Sequence, residues 1–156
     1  METSSPAAIA YLTVQDVLWI HFQLTKAPAP FRYAPLEESV NYQYAYGDSK
    51  DVCAQSARLL GGFRKLRPFD TTNDATAFVS SLAFLALNGM RITLPDSEGA
   101  HWYGKIANGD VAGEKGVDMA STVGDGHGPN TVEAAVVAVL QQFPASVAAI
   151  LGTVPA

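Results

Sequence analysis

The chain has 156 residues, 48% of them hydrophobic and 16% charged, enough apolar material to bury a sizeable core, so a folded single domain over 1–156 is expected. Its net charge of −5 gives little electrostatic support for gripping nucleic-acid phosphates or an anionic membrane surface. Cys53, the single cysteine, cannot form an internal disulfide, and with three scattered histidines it supplies no zinc-ligand spacing; this usage suits a reducing cytoplasm.

Residues 1–10 are polar and then small, without a basic stretch leading into a long apolar one, so no secretory signal is expected. Other apolar runs are too short to span a bilayer, and the expected location is cytoplasmic. Thr13 precedes Val14, Val17, Leu18, His21 and Leu24 at helical spacing, with Asp16 three residues on, a carboxylate form of the capping box; a helix over about 14–25 follows. Lys26-Ala27-Pro28-Ala29-Pro30 stops it, since proline lacks an amide hydrogen and restricts its predecessor. A short helix is expected over Leu36–Asn41. Tyr42, Tyr44 and Tyr46 then alternate ahead of Gly47, a pattern that suits a small extended flap, with the tyrosines either touching a ligand or packing as a lid.

From Asp51 to Leu66 the apolar face of Val52, Leu59, Leu60 and Phe63 predicts a third helix. The segment from Asn73 to Leu87 is apolar around most of its circumference, as a central buried helix must be, and Asn88-Gly89 supplies residues that tolerate a left-handed cap. Between Thr93 and Asn130 eight glycines interrupt any sustained period, so loops and short helices are expected. Thr131 can cap a last amphipathic helix through Phe143, and Pro144 opens a short apolar tail helix ending near Gly152. The fold class expected is all-α, a helical bundle around a buried central helix, with a small β flap.

Leu66-Arg67-Pro68-Phe69-Asp70-Thr71-Thr72-Asn73-Asp74-Ala75-Thr76-Ala77, followed by Phe84-Leu85-Ala86-Leu87-Asn88-Gly89, resembles the signature of the Fic/Doc (death-on-curing) family. That signature is a His-Pro-Phe loop, an acidic residue, then Gly-Asn-Gly/Lys-Arg-Thr-Ala opening a helix that ends in Phe-Leu-x-x-Asn-Gly. The opening Tyr11-Leu12-Thr13-Val14-Gln15-Asp16-Val17-Leu18-Trp19-Ile20-His21 looks like the start of death-on-curing proteins. Leu36-Glu37-Glu38-Ser39-Val40 with Tyr46-Gly47-Asp48 is similar to the segment bearing the family's target-docking flap, which would place Tyr44, Tyr46 and Gly47 there. The likeness covers roughly residues 11–92.

The resemblance implies transfer of a nucleotide, or of a phosphate from one, to a protein hydroxyl, with ATP and magnesium as cofactors. This chain departs from the pattern where the chemistry lies. The general-base histidine position is Arg67, whose guanidinium stays protonated and cannot take a proton. The magnesium-holding acidic position is Thr71, a neutral hydroxyl and a poor hard-cation ligand. The anion-hole glycine position is Thr72, the asparagine is kept as Asn73, the next Gly/Lys position is Asp74, and the phosphate-clamping arginine position is Ala75. A carboxylate in the helix's first turn stabilises that end and repels phosphate. Loss of a general base costs about 10²–10⁴ in rate and loss of an oxyanion donor roughly 10²–10³.

The resemblance therefore points to a catalytically inactive Fic/Doc-like domain active in protein binding or regulation, with no cofactor and no metal expected. Phe69, Asp70, Thr72, Asn73 and Asp74 would be a nucleotide-binding remnant, and the partner an unidentified protein, antitoxin-like if the chain belongs to a toxin–antitoxin pair. The alternative is a divergent transferase using Asp70, Asp74 or Arg67 in altered roles, with ATP and magnesium. Arg67 is either solvated or paired with Asp70 or Asp74. Gly124-Asp125-Gly126-His127-Gly128-Pro129 has neither a preceding strand nor a lysine and is expected to be a flexible connection. His21 on an apolar helix face is expected to be a hydrogen-bonded core residue, and Trp102-Tyr103 to cover the core edge.

Overall fold

In a computed structural model, residues 9–44 and 51–152 are described. Within them the chain is helical, with α1 (Val14–Thr25), α2 (Tyr33–Asn41), α3 (Val52–Leu66), α4 (Asn73–Leu87), α5 (Asp96–Ala107), α6 (Gly113–Met119), α7 (Val132–Gln142) and α8 (Pro144–Leu151). Two short strands, β1 (Met90–Ile92) and β2 (Ser121–Val123), pair antiparallel with Arg91 opposite Thr122. The all-α expectation holds, and a small two-stranded sheet is present at 90–92 and 121–123.

Local chemistry accounts for the helix ends. Thr13 accepts from the Asp16 amide while the Asp16 carboxylate takes the Thr13 amide, the reciprocal box expected at α1. Asp51 accepts from Cys53 and Ala54 at α3, and Thr131 from Ala134 at α7. Pro144 opens α8, where its missing amide hydrogen costs nothing, and Gly152 ends it at φ 77°. Helix α2 begins at Tyr33, ahead of the expected Leu36, because Pro35 falls in the first turn, where no amide donor is needed.

Helix α4 is the centre of the fold. From Asn73 to Ala86 every residue except Asp74 is buried, and α1, α3, α7, α8 and β1 surround it. Phe78, Leu82, Phe84 and Leu85 meet Phe63 of α3, Phe143 and the α1 residues Val17 and Ile20 in one core. Phe78 takes edge-to-face contacts from Tyr103 and Phe143 at 6.1 and 5.5 Å.

Three expectations are corrected here. The 124–129 segment does follow a strand, since β2 runs directly into Gly124, whose amide donates to the Gly89 carbonyl. Residues 42–44 do not extend but turn off the end of α2, with the Tyr42, Gln43 and Tyr44 amides bonding back to Ser39, Val40 and Asn41. The side chain that turns inward is Gln43, which both donates to and accepts from the Leu12 backbone. Tyr46 and Gly47 lie outside the described residues. The glycine-rich stretch also holds a regular helix: α5 runs twelve residues through Gly99 and Gly104. Gly99 is required there, since a Cβ would run into the Ser146 side chain and reach 3.2 Å from Phe143, so its absence lets α5 and α8 approach closely.

Candidate functional site

The loop joining α3 to α4 is framed by two non-glycine residues in left-handed conformation, Arg67 (φ 42°) and Thr72 (φ 67°). Each costs on the order of 1 kcal/mol, so the surroundings must hold them. Arg67 ends α3 with its amide on the Phe63 carbonyl at 3.0 Å. Thr72 caps α4 through its backbone alone, its side chain making no capping bond. A glycine would take that conformation without strain.

Between these residues the backbone is tied on three sides. Phe31 and Phe69 form an isolated antiparallel bridge, in which the Arg32 amide donates to Pro68 and the Asp70 amide to Pro30, so the proline-rich segment after α1 lies along the loop. Asn73 accepts from the Phe69 amide at 2.9 Å and donates to its carbonyl at 2.7 Å, closing the turn from inside; it is 4% exposed. His21 stacks on the Phe69 ring at 3.9 Å, and its Nε2 lies 2.9 Å from the Thr71 carbonyl. A carbonyl only accepts, so Nε2 carries the hydrogen. Burial pushes the His21 pKa down and is only partly opposed by that bond, so the net shift favours the neutral ring.

Charge gathers on Asp74 in the first turn of α4. Its carboxylate accepts from the Tyr103 hydroxyl at 2.7 Å and from Arg64 at 2.9 Å, and pairs with Arg67 at 3.3 Å. Burial disfavours the anion, but the Tyr103 hydroxyl and then the two guanidiniums outweigh it and hold the pKa below the ordinary carboxylate value. Tyr103 is pushed well up, first by burial and then by the carboxylate it faces. Arg64 also donates to the Ala107 carbonyl at 3.1 Å, so this cluster joins α3, α4 and α5.

The residues singled out from the sequence are only partly brought together. Phe69, Thr72, Asn73 and Asp74 come together as one hydrogen-bonded loop with Arg67 at its edge. Arg67 is paired with Asp74 and half exposed, whereas Asp70 pairs with Arg32 at 3.8 Å on the surface. The side chain of Thr71 is exposed, and Ala75 is 1% exposed, facing the core. Tyr44 packs on Tyr11, with ring centres 4.5 Å apart, and its carbonyl takes a bond from Arg58. Sequence reasoning missed Tyr103 and Arg64 as partners of Asp74. Arg64 carried a faint signal as a cation in the last turn of α3, but nothing in the order of residues tied Tyr103 to a carboxylate twenty-nine positions earlier.

The polar groups at the start of α4 are already engaged with one another. The carboxylate nearest the helix start already faces two guanidiniums and a hydroxyl, the Thr71 carbonyl faces His21, and position 75 points inward. Among the described residues no group of three or more His, Cys, Asp or Glu is placed to hold a metal ion, and no single helix is long and apolar enough to cross a membrane. No protein-family model, curated protein or solved structure matches this chain. The likeness to Fic/Doc proteins therefore rests on the quoted residues alone.

Proposed function

We propose that this chain is a catalytically inactive Fic/Doc-like domain that works by binding another protein. The single observation carrying it is the Asp74 cluster. At the helix end where the family pattern calls for a cationic phosphate clamp, a carboxylate consumes the positive charge of Arg64 and Arg67 instead. Thr72 adds support, since it keeps the left-handed backbone that suits the glycine the resemblance puts there, so the turn survives while its side chains have changed. An exposed aromatic surface beside the loop suits a protein partner. Phe22 is 43% exposed and Phe31 41%, and both line a shallow hollow walled by Leu18, Pro28 and Phe69. An antitoxin-like protein is one partner of this kind.

Thermal unfolding with millimolar ATP and magnesium tests the proposal. No stabilisation is expected, whereas a site with a dissociation constant a hundredfold below the ligand concentration would add about 2.7 kcal/mol. Transfer of labelled phosphate or nucleotide to any protein would replace this proposal with the divergent transferase. Capture of a partner that survives the double substitution Phe22→Ala, Phe31→Ala would remove the aromatic surface from it.

A further inference from the structure

Residues of α5 and α6, with Leu94, Val111 and Ala120, line a hollow of about 230 Å³. Its walls are apolar, formed by Leu94, Trp102, Ile106, Val111 and Met119. Trp102 is fixed in place: its indole N–H donates to the Gly116 carbonyl at 2.9 Å and its ring meets Phe78 edge-on at 6.1 Å. Gly116 keeps the base narrow, as a Cβ there would come within 2.8 Å of Ile106. Met119, 69% exposed, offers a flexible thioether at the mouth. A rigid aromatic wall facing an adaptable one is the construction of a pocket for a small ring, and a cavity of roughly 150 Å³ already accepts benzene.

The rim decides the charge of the occupant. Glu98, His101 and Lys105 line it from one face of α5, and none of them takes part in the ion pairs among the described residues. His101 stands one turn from both Lys105 and Glu98, with Glu98 seven positions from Lys105, about 10 Å along the axis, so the acidic and basic ends of the rim lie on either side of His101. One small anion can meet His101 and Lys105 together. We infer that the groove between α5 and α6 binds a small aromatic carboxylate, its ring against Trp102 and its carboxylate at Lys105 and His101.

The chain has two tryptophans, so Trp19→Phe leaves Trp102 as the sole indole reporter. Titrating this variant with benzoate should change its fluorescence saturably, with a dissociation constant at or below about 1 mM, and calorimetry on the unaltered chain should agree. Lys105→Glu, on the exposed rim, should weaken benzoate at least about fivefold while leaving benzyl alcohol unaffected. Absence of saturation by both methods overturns the site. Equal affinity for benzoate and benzyl alcohol, or indifference to Lys105→Glu, overturns the carboxylate. None of the residues lining the groove shares a hydrogen bond or ion pair with Asp74, Arg64, Arg67 or Tyr103, so this outcome and that of the nucleotide test are distinguishable.

Discussion

His21 and Asp74 hold the two sides of the 67–76 loop in opposite ways, one as a neutral ring and the other as an anion, and both make stability fall towards acid. The folded His21 pKa lies below its ordinary 6.5 because of burial, so the unfolded chain binds the proton first. Its contribution is complete above about pH 6.5 and is lost as pH falls through the folded value. Asp74 is likewise depressed below 3.8, despite burial, by Tyr103 and the two arginines, and its contribution is complete above that value and lost below it. The melting temperature should therefore decline in two separate steps. His21→Gln should abolish the upper step, and Tyr103→Phe should shift the lower one towards pH 3.8; melting curves recorded from neutral to acid pH check both. An upper step that persists without His21 would assign it elsewhere. Asn73 and Asp74 were singled out in the sequence as remnants of a nucleotide site, not as the hydrogen-bonded groups they are here, whereas a hydrogen-bonded His21 was legible from its helix face. Which groups answer them was not, because Phe69, Thr71 and Tyr103 come close only once three helices have packed.

At the scale of elements, α1, α3, α4, α7 and α8 follow from caps and apolar spacing and begin and end close to where these place them. Helix α5 does not, since its packing depends on what Gly99 lacks, and a period cannot register a missing side chain. The two α5 glycines should respond oppositely to alanine. Gly99→Ala forces Ser146 and Phe143 to move and should cost about 1–3 kcal/mol, whereas Gly104, with nothing within 4 Å of its Cβ position, should gain about 0.5–1 kcal/mol from helix propensity. Denaturant unfolding of the two variants compares them directly, and equal effects would mean that α5 and α8 do not meet as described. The α5–α8 contact has a polar side as well, for Asp96 at the start of α5 accepts from the Ala145 and Ser146 amides and so caps α8 from a neighbouring helix.

Across the whole molecule, contacts distant in sequence hold the start of the described chain to the core. Gln43 pairs with both the amide and the carbonyl of Leu12, and Asn88 does the same for Ala10 while also bonding Phe84 at the end of α4. Gln43→Ala would leave two buried backbone groups of Leu12 without partners, a loss of about 2–4 kcal/mol. Hydrogen exchange at the Leu12 amide should rise together with a fall in melting temperature; an amide that stays protected would show that another group holds this segment. Gln43 was hidden in a run of alternating tyrosines, where period-two spacing drew attention to the aromatic residues on either side.

Residue order alone determined where most helices begin and end and which of them lies at the centre, because caps, prolines and apolar periodicity act within a few positions of one another. Tertiary structure alone decided the state of the α3–α4 loop. Arg64, Arg67 and Tyr103 converge on Asp74 only when α3, α4 and α5 are packed, and the fall of charge energy with distance makes that convergence, not the presence of the charges, what determines the chemistry open to the helix start.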